Sequence, residues 1–143
     1  MSVFVDTGVF YAQHDSDATR HEPAVDAMRR LASGEFGRVY TSDYVYDEAV
    51  TLTRQRFGDH AAARTLGERI RGTGEFPKLA ELLHVTEAEF EATVELFDRY
   101  DDQSLSFTDA NTVALAESRD IDHVLSFDDD FDGLVERLQP SVL

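Results

Sequence analysis

The sequence predicts an α/β fold, a three-layer sandwich in which a central, mainly parallel sheet lies between layers of helices. Short runs of consecutive apolar residues, such as Val3–Val5, lack the alternation of a half-exposed strand and indicate strands covered on both faces. These runs alternate along the chain with segments of helical periodicity, as in a parallel sheet with crossover helices. The 143 residues contain no repeat or flexible linker, so we expect a single domain, 1–143, with one core.

The first half of the chain supplies two predicted strands and four predicted helices. Val3–Val5 is the first strand, and a short helix follows over Val9–His14. The next helix, Glu22–Ala32, has Pro23 in its first turn and Gly34 after its end, which are the positions that these residues favour. The remaining elements of this half are a strand over Arg38–Thr41, a helix capped by Ser42 or Asp43 that ends at Phe57 and Gly58, and a helix from Asp59 to Ile70.

The second half is predicted to add three strands and two helices. Leu82–Val85 is the third strand, and the segment Thr-Glu-Ala-Glu that begins at Thr86 is a capping box that opens a helix. The apolar face of this helix is expected to consist of Phe90, Val94 and Phe97. A further helix begins at Ser106, and the last strands are His123–Phe127 and a short one near Val135–Leu138.

The charge of the chain is strongly negative. It has 13 basic and 29 acidic residues, a net charge of −16, and Lys78 is its only lysine. Such a surface argues against nucleic-acid partners in ordinary salt, because phosphate binding depends on Lys and Arg. It is also typical of proteins that work in molar salt, where the Debye length is about 3 Å and self-repulsion is screened. We therefore expect a halophilic protein, and the charge does not exclude a nucleic-acid substrate.

Other classes of protein are excluded by residues that the chain lacks. Without cysteine it cannot form disulfides, zinc–thiolate sites or thiol redox motifs. It also has neither an apolar segment long enough to cross a bilayer nor a basic and apolar leader at its N-terminus. The expectation is a cytoplasmic protein that does not associate with a membrane.

Acidic residues stand where parallel α/β sheets form their binding sites, beyond the carboxyl ends of the strands. Asp6 ends the first predicted strand and Asp128 follows the fourth. Glu48 neighbours the apolar stripe of its helix, and Asp109 lies in the first turn of another. Each acid also has a structural explanation: Glu48 at the edge of the core, Asp109 in a capping box with Ser106, and Asp128 in a solvated acidic loop.

Convergence of these acids would require a cation. Several carboxylates in one cleft repel one another, which raises their pKa values and costs stability unless positive charge neutralises them. Mg²⁺ and Mn²⁺ take oxygen ligands and serve phosphate chemistry. The absence of cysteine and the scattering of the five histidines argue against zinc.

Four segments of the chain, taken together and in order, resemble the PIN-domain family of metal-dependent ribonucleases, most of all its VapC-like toxin branch. The segments are VFVDTGVFYA, YVYDEAVTL, SLSFTDANTVALAES and HVLSFDDDF. The resemblance covers almost the whole chain and implies a PIN-like fold. It implies that the catalytic acids are Asp6, Glu48, Asp109 and Asp128.

The resemblance also implies a cofactor and partners. Asp6, Asp109 and Asp128 would bind Mg²⁺ or Mn²⁺, with Glu48 and Asp130 as further ligands, directly or through water. The reaction would be hydrolysis of RNA phosphodiester bonds by a homodimer, which a small antitoxin neutralises by occupying the cleft. Supporting hydroxyls would be Thr7 and Ser126, and candidate RNA contacts are Arg54 and Arg56, with Arg29 and Arg30.

Within the acidic run that follows the fourth strand, the three consecutive acids are expected to differ. Asp128 should point into the cleft, because it continues the strand two residues after Ser126, whereas Asp129 should face solvent. Asp130 should reach only a water molecule on the metal. The expected order of importance is therefore Asp128, Asp130 and then Asp129.

Three other interpretations remain open. The triplet Asp6-Thr7-Gly8 matches the signature of aspartic proteases, but those need two such loops in an all-β fold. An α/β phosphatase-like hydrolase would need a second acid near Asp6 and a lysine after a later strand, whereas position 8 is Gly and Lys78 precedes a strand. The third is a degenerate PIN-like binding module without catalysis, which would take up no Mn²⁺.

Overall fold

A computed structural model describes all 143 residues, in five strands and six α-helices. The strands are β1 (Ser2–Val5), β2 (Arg38–Ser42), β3 (Glu81–Leu83), β4 (His123–Leu125) and β5 (Arg137–Leu138). The helices are α1 (Thr7–His14), α2 (His21–Ala32), α3 (Asp43–Phe57), α4 (His60–Arg71), α5 (Glu87–Arg99) and α6 (Phe107–Ser118). Two 3₁₀ turns lie at Asp129–Phe131 and Pro140–Val142. The predicted α/β fold with a mainly parallel sheet is confirmed.

The sheet has the strand order β3-β2-β1-β4-β5, and all neighbouring strands are parallel. Phe4 of the central strand β1 pairs with Tyr40 of β2 on one side and with Val124 of β4 on the other. The chain leaves β1 toward β2 and β3, then returns across the sheet to β4 and β5. The strand order therefore reverses beside β1, and in such sheets a crevice opens beyond the carboxyl ends of the strands at that point.

The core lies on both faces of the sheet. Since crossovers between parallel strands are right-handed, the outward path places α1 to α4 on one face and the return path places α5 and α6 on the other. Val3, Phe4 and Val5 of β1 are fully buried, as their unbroken apolar run predicts. The first polar residue after this buried run is Asp6, where the strand leaves the sheet.

Helix α5 differs from the prediction in the face that it buries. Its inward residues are Glu89, Thr93 and Leu96, whereas Phe90 and Phe97 are 41% and 42% exposed, so the predicted apolar face was wrong. Polar contacts with α6 and the residue after it set the orientation of the helix. The Glu89 carboxylate accepts hydrogen bonds from Arg119 Nε (2.7 Å) and Ser118 Oγ (2.6 Å).

Several element boundaries shift because of local contacts. Helix α1 begins directly after Asp6, whose extended backbone makes it the N-cap residue, rather than at Val9. Strand β4 ends at Leu125 instead of Phe127, and the first 3₁₀ turn follows at Asp129–Phe131. None of the six helices combines the length and the apolar character needed to span a bilayer.

We predict that the fold depends on salt, because a net charge of −16 on 143 residues produces strong self-repulsion in dilute buffer. Raising KCl from millimolar to molar concentration should raise the melting temperature by several degrees, as screening removes the repulsion. Circular dichroism across a KCl series measures the effect, and sucrose of equal osmolality is the uncharged control. A melting temperature that does not change with KCl would contradict the prediction.

Candidate active site

Asp6 stands at the carboxyl end of the central strand. Its backbone N–H donates to Leu125 O at 3.1 Å, which extends the pairing of β1 with β4 by one residue. The side chain is 6% exposed, and its Oδ2 accepts a hydrogen bond from Ser126 Oγ at 2.8 Å. Its Oδ1 is buried without a hydrogen-bond partner. Buried polar atoms are rarely left unpaired, so this oxygen suits a ligand that the protein itself does not supply.

Asp109 has two roles at the start of α6. Its backbone N–H donates to Ser106 Oγ and its Oδ2 accepts from the Ser106 N–H, both at 3.1 Å, which is the predicted reciprocal cap. The cap uses one carboxylate oxygen. The other, Oδ1, receives no hydrogen bond from the protein, and the residue lines the same cleft as Asp6. The structural explanation for Asp109 is thus correct, and it is compatible with a place in the site.

Asp128 lies just beyond the end of β4. Ser126 Oγ, which donates to Asp6, accepts from the Asp128 N–H at 3.0 Å and so joins the ends of β1 and β4. Asp128 Oδ1 accepts from the Asp130 N–H at 2.9 Å and caps the 3₁₀ turn that buries Phe131.

This turn separates the three consecutive acids. Asp128 and Asp129 line the cleft, whereas Asp130 does not. Asp129 is exposed to solvent, as expected, and it also contributes to the lining of the cleft. The carboxylates of Asp128, Asp129 and Asp130 lie within 4.8 Å of one another as consecutive residues of this turn.

The cleft therefore collects acids from separate parts of the chain. Its volume is about 490 Å³, and its only hydrophobic lining residues are Leu52 and Phe127. Glu48 reaches it from α3, the element that also contributes Leu52. The hydroxyl-bearing residues Thr7 and Ser126 line it as well, and Thr7 Oγ1 is buried without a partner. The predicted acids that meet here are Asp6, Glu48, Asp109 and Asp128.

Burial and mutual repulsion make these acids hard to ionise. The pKa of Asp6 is raised from 3.8 to about 7, first by burial and then by the charges of Asp109 and Glu48, while the Ser126 hydrogen bond opposes the rise. The pKa of Asp109 is raised to about 6, first by burial and then by the charges of Asp128 and Glu48. A divalent cation would relieve this repulsion and occupy the free oxygens of Asp6 and Asp109. The residues of the cleft therefore fit a hard cation.

A second cavity, of about 240 Å³, lies between α1, α2, α4 and the segment 76–80. Most of its lining is apolar, with Phe10, Met28 and Ile70 among its residues, and it contains no carboxylate. Without a carboxylate it has no ligand set for a hard cation. The acidic cleft, at the point where the strand order reverses, is the candidate active site.

The arginines predicted to contact RNA lie outside the cleft. Arg54 and Arg56 occupy the last turn of α3, and the Arg56 guanidinium lies 4.8 Å from the centre of the Tyr11 ring. Arg29 pairs with Asp26, and Arg30 pairs with Glu35. The one basic residue that lines the cleft, Arg20, was not predicted. No periodicity or motif marks it, because its position depends on how the loop before α2 folds back over the end of β4.

The parallel sheet and the carboxylate cleft define a class of α/β domain built to hold a divalent cation at the carboxyl edge of its central strand. The sequence model of the PIN domain matches residues 3–136, and the chain belongs to the PIN-domain family. A curated relative, the 23S rRNA-specific endonuclease VapC20 of Mycobacterium tuberculosis, is 31% identical over 136 residues, which are 94% of this chain and 96% of that protein.

Solved structures agree with this assignment. The crystal structure of VapC20, described as a sarcin–ricin loop cleaving toxin, superposes with a TM-score of 0.77 at 32% identity and covers 94% of this chain and 97% of that one. FitAcB from Neisseria gonorrhoeae has a TM-score of 0.69 at 17% identity and covers 99% of both chains. The latter likeness concerns the fold alone. A parallel α/β domain of this family is incompatible with the all-β aspartic-protease fold.

Replacing Asp6 tests the repulsion in the cleft. Between about pH 4 and pH 7 folded Asp6 binds more protons than unfolded Asp6, so the metal-free protein loses stability as the pH rises through this range. Asp6→Asn removes that loss. Its metal-free melting temperature should exceed that of the wild type by several degrees near pH 8 and match it near pH 4. Thermal melts with chelator at the two pH values measure the difference, and a large fall in melting temperature near pH 8 would instead indicate a structural role.

The acids after β4 should contribute unequally to metal binding. Asp128→Asn should weaken Mn²⁺ binding most, because Asp128 lines the cleft and is held next to Asp6 through Ser126. Asp129→Asn should have a smaller effect and Asp130→Asn the smallest. Isothermal titration with Mn²⁺ ranks the three variants, which each remove one charge from the same turn. Equal losses would show that the turn acts only through its total charge.

Proposed function

We propose that this protein is a Mg²⁺- or Mn²⁺-dependent endoribonuclease and the toxin of a VapBC-type toxin–antitoxin pair. The observation that carries the proposal is the convergence of Asp6, Glu48, Asp109 and Asp128 on one cleft, with Asp6 Oδ1 buried and unpaired. The 31% identity with an rRNA-specific endonuclease over almost the whole chain supports RNA as the substrate. RNA encountered in the cytoplasm is the substrate class that we assign.

Each residue of the site would have a distinct role. Asp6, Asp109 and Asp128 hold the cation, while Asp130 contributes at most through water. A bound Mg²⁺ or Mn²⁺ supplies Lewis-acid chemistry, which activates water as a nucleophile and stabilises charge on the phosphate oxygens. Ser126 orients Asp6 by its hydrogen bond, and the helix cap orients Asp109. No side chain of the protein is needed as a nucleophile.

Glu48 is assigned a separate role. Its carboxylate receives no hydrogen bond from the protein, and its charge raises the pKa values of both Asp6 and Asp109. It lines the same cleft as both, where it would share their cation or accept a proton from water at its Oε atoms. Both roles need an ionised carboxylate, either as a ligand of the cation or as the acceptor of a proton from the attacking water, so the amide variant should be inactive.

The proposal includes two protein partners. The likeness to a toxin at 32% identity supports a small antitoxin that blocks the cleft.

A homodimer is the expected assembly, and the exposed rings of Phe90 and Phe97, which pack around Phe107 at centroid distances of 5.9 and 5.6 Å, provide an apolar surface for a second copy. Light scattering coupled to size exclusion measures the assembly.

Cleavage of 23S rRNA with Mn²⁺ in molar KCl tests the proposal directly. The wild type should cleave RNA, and Asp6→Asn or Glu48→Gln should reduce cleavage at least about 100-fold. The matched control is Asp47→Asn, which removes an exposed carboxylate from the position next to Glu48 on α3 and should retain activity. A protein that binds Mn²⁺ but cleaves no RNA would refute the nuclease, and one that binds no Mn²⁺ would be a binding module.

A further inference from the structure

Arg20 is the only basic residue among those that line the acidic cleft. It directly precedes α2, and its side chain is exposed. The chain carries 29 acidic residues against 13 basic ones, so a positively charged group beside the candidate active site is unusual for this surface. An arginine at this position therefore suits an anionic ligand.

Two contacts hold Arg20 at the cleft. The next residue, His21, lies with its Nδ1 2.8 Å from Ala12 O, which fixes the start of α2 against α1. The Arg20 guanidinium lies over the Phe127 ring, 5.0 Å from its centre, in the geometry of a cation–π contact. Phe127 is 8% exposed and immediately precedes Asp128. The guanidinium is thus held over the segment that carries one of the predicted metal ligands.

The guanidinium donors of Arg20 are free. The side chain forms no ion pair and no hydrogen bond with the protein, whereas Arg29 and Arg30 of the adjoining helix are both paired with carboxylates. A free, planar guanidinium with donors for two parallel hydrogen bonds matches the oxygens of a phosphate group.

We propose that Arg20 binds a backbone phosphate of the RNA strand and thereby sets which phosphodiester bond reaches the acids. The inference rests on the proposed function. A cation bound by the acids would place one positive charge in the cleft, and the guanidinium over Phe127 would place a second. The other charged groups of the cleft repel phosphate. RNA would therefore be held in register by its backbone, at one phosphate on the metal and at another on Arg20.

Steady-state cleavage of a single-stranded RNA with Mn²⁺ tests this inference. Arg20→Ala should raise KM about 10-fold and change kcat by less than about 3-fold, because a charge-assisted contact to the substrate is lost while the acids remain. Arg20→Lys should recover part of the loss. The slope of log KM against log salt should fall by about 0.7, the value for one phosphate contact on a single strand. The control is Arg64→Ala, which removes an exposed arginine of α4 that pairs with Glu68.

A measurement without cleavage separates this inference from the proposed function. Fluorescence anisotropy of a labelled RNA, with Mn²⁺ and the Glu48→Gln protein, should show about 10-fold weaker binding when Arg20→Ala is added. Unchanged RNA affinity, KM and salt slope would overturn the inference even if the wild type is an active nuclease. A lower metal-free melting temperature with unchanged RNA affinity would assign Arg20 a purely structural role and overturn it equally. Weaker RNA binding by a protein that cleaves nothing would support Arg20 and refute only the nuclease.

Discussion

The repulsion between carboxylates around a buried Asp6 is the constraint on which the rest of the site depends. The central strand β1 is buried on both faces, so the first polar residue after it enters an environment that disfavours charge. Other elements then add Glu48, Asp109 and Asp128 around the same point. The cleft therefore suits a small, doubly charged ion, because such an ion would offset the burial cost and the repulsion together.

Ordinary structural devices hold the acids in place. Ser106 and Asp109 form a helix cap, Asp128 caps a 3₁₀ turn, and a single hydroxyl, that of Ser126, joins the ends of β1 and β4. Each device uses only part of the hydrogen-bonding capacity of the acid, so a free oxygen remains on the side of the cleft. Stability and site geometry are therefore achieved by the same contacts, and changes to the supporting hydroxyls should affect both.

The sequence was most informative where a local pattern determines the outcome. Buried strands, the caps at Ser42, Thr86 and Ser106, and the position of Asp6 all follow from short-range rules and agree with the structure. The sequence was uninformative where contacts between distant segments determine the structure. The buried face of α5 is set by Arg119, a residue 30 positions beyond Glu89, and Arg20 depends on the ring of Phe127. Rules of sequence periodicity do not predict these contacts.

The hydrogen bond between Ser126 and Asp6 joins residues 120 positions apart. The bond requires both strands to be in the sheet, because each residue directly follows its strand. During synthesis, the residues up to Asp109 emerge before Ser126 and Asp128, which follow β4. A chain that ends before Ser126 therefore lacks part of the acidic cleft, and the cleft is assembled only once nearly the entire chain has been translated.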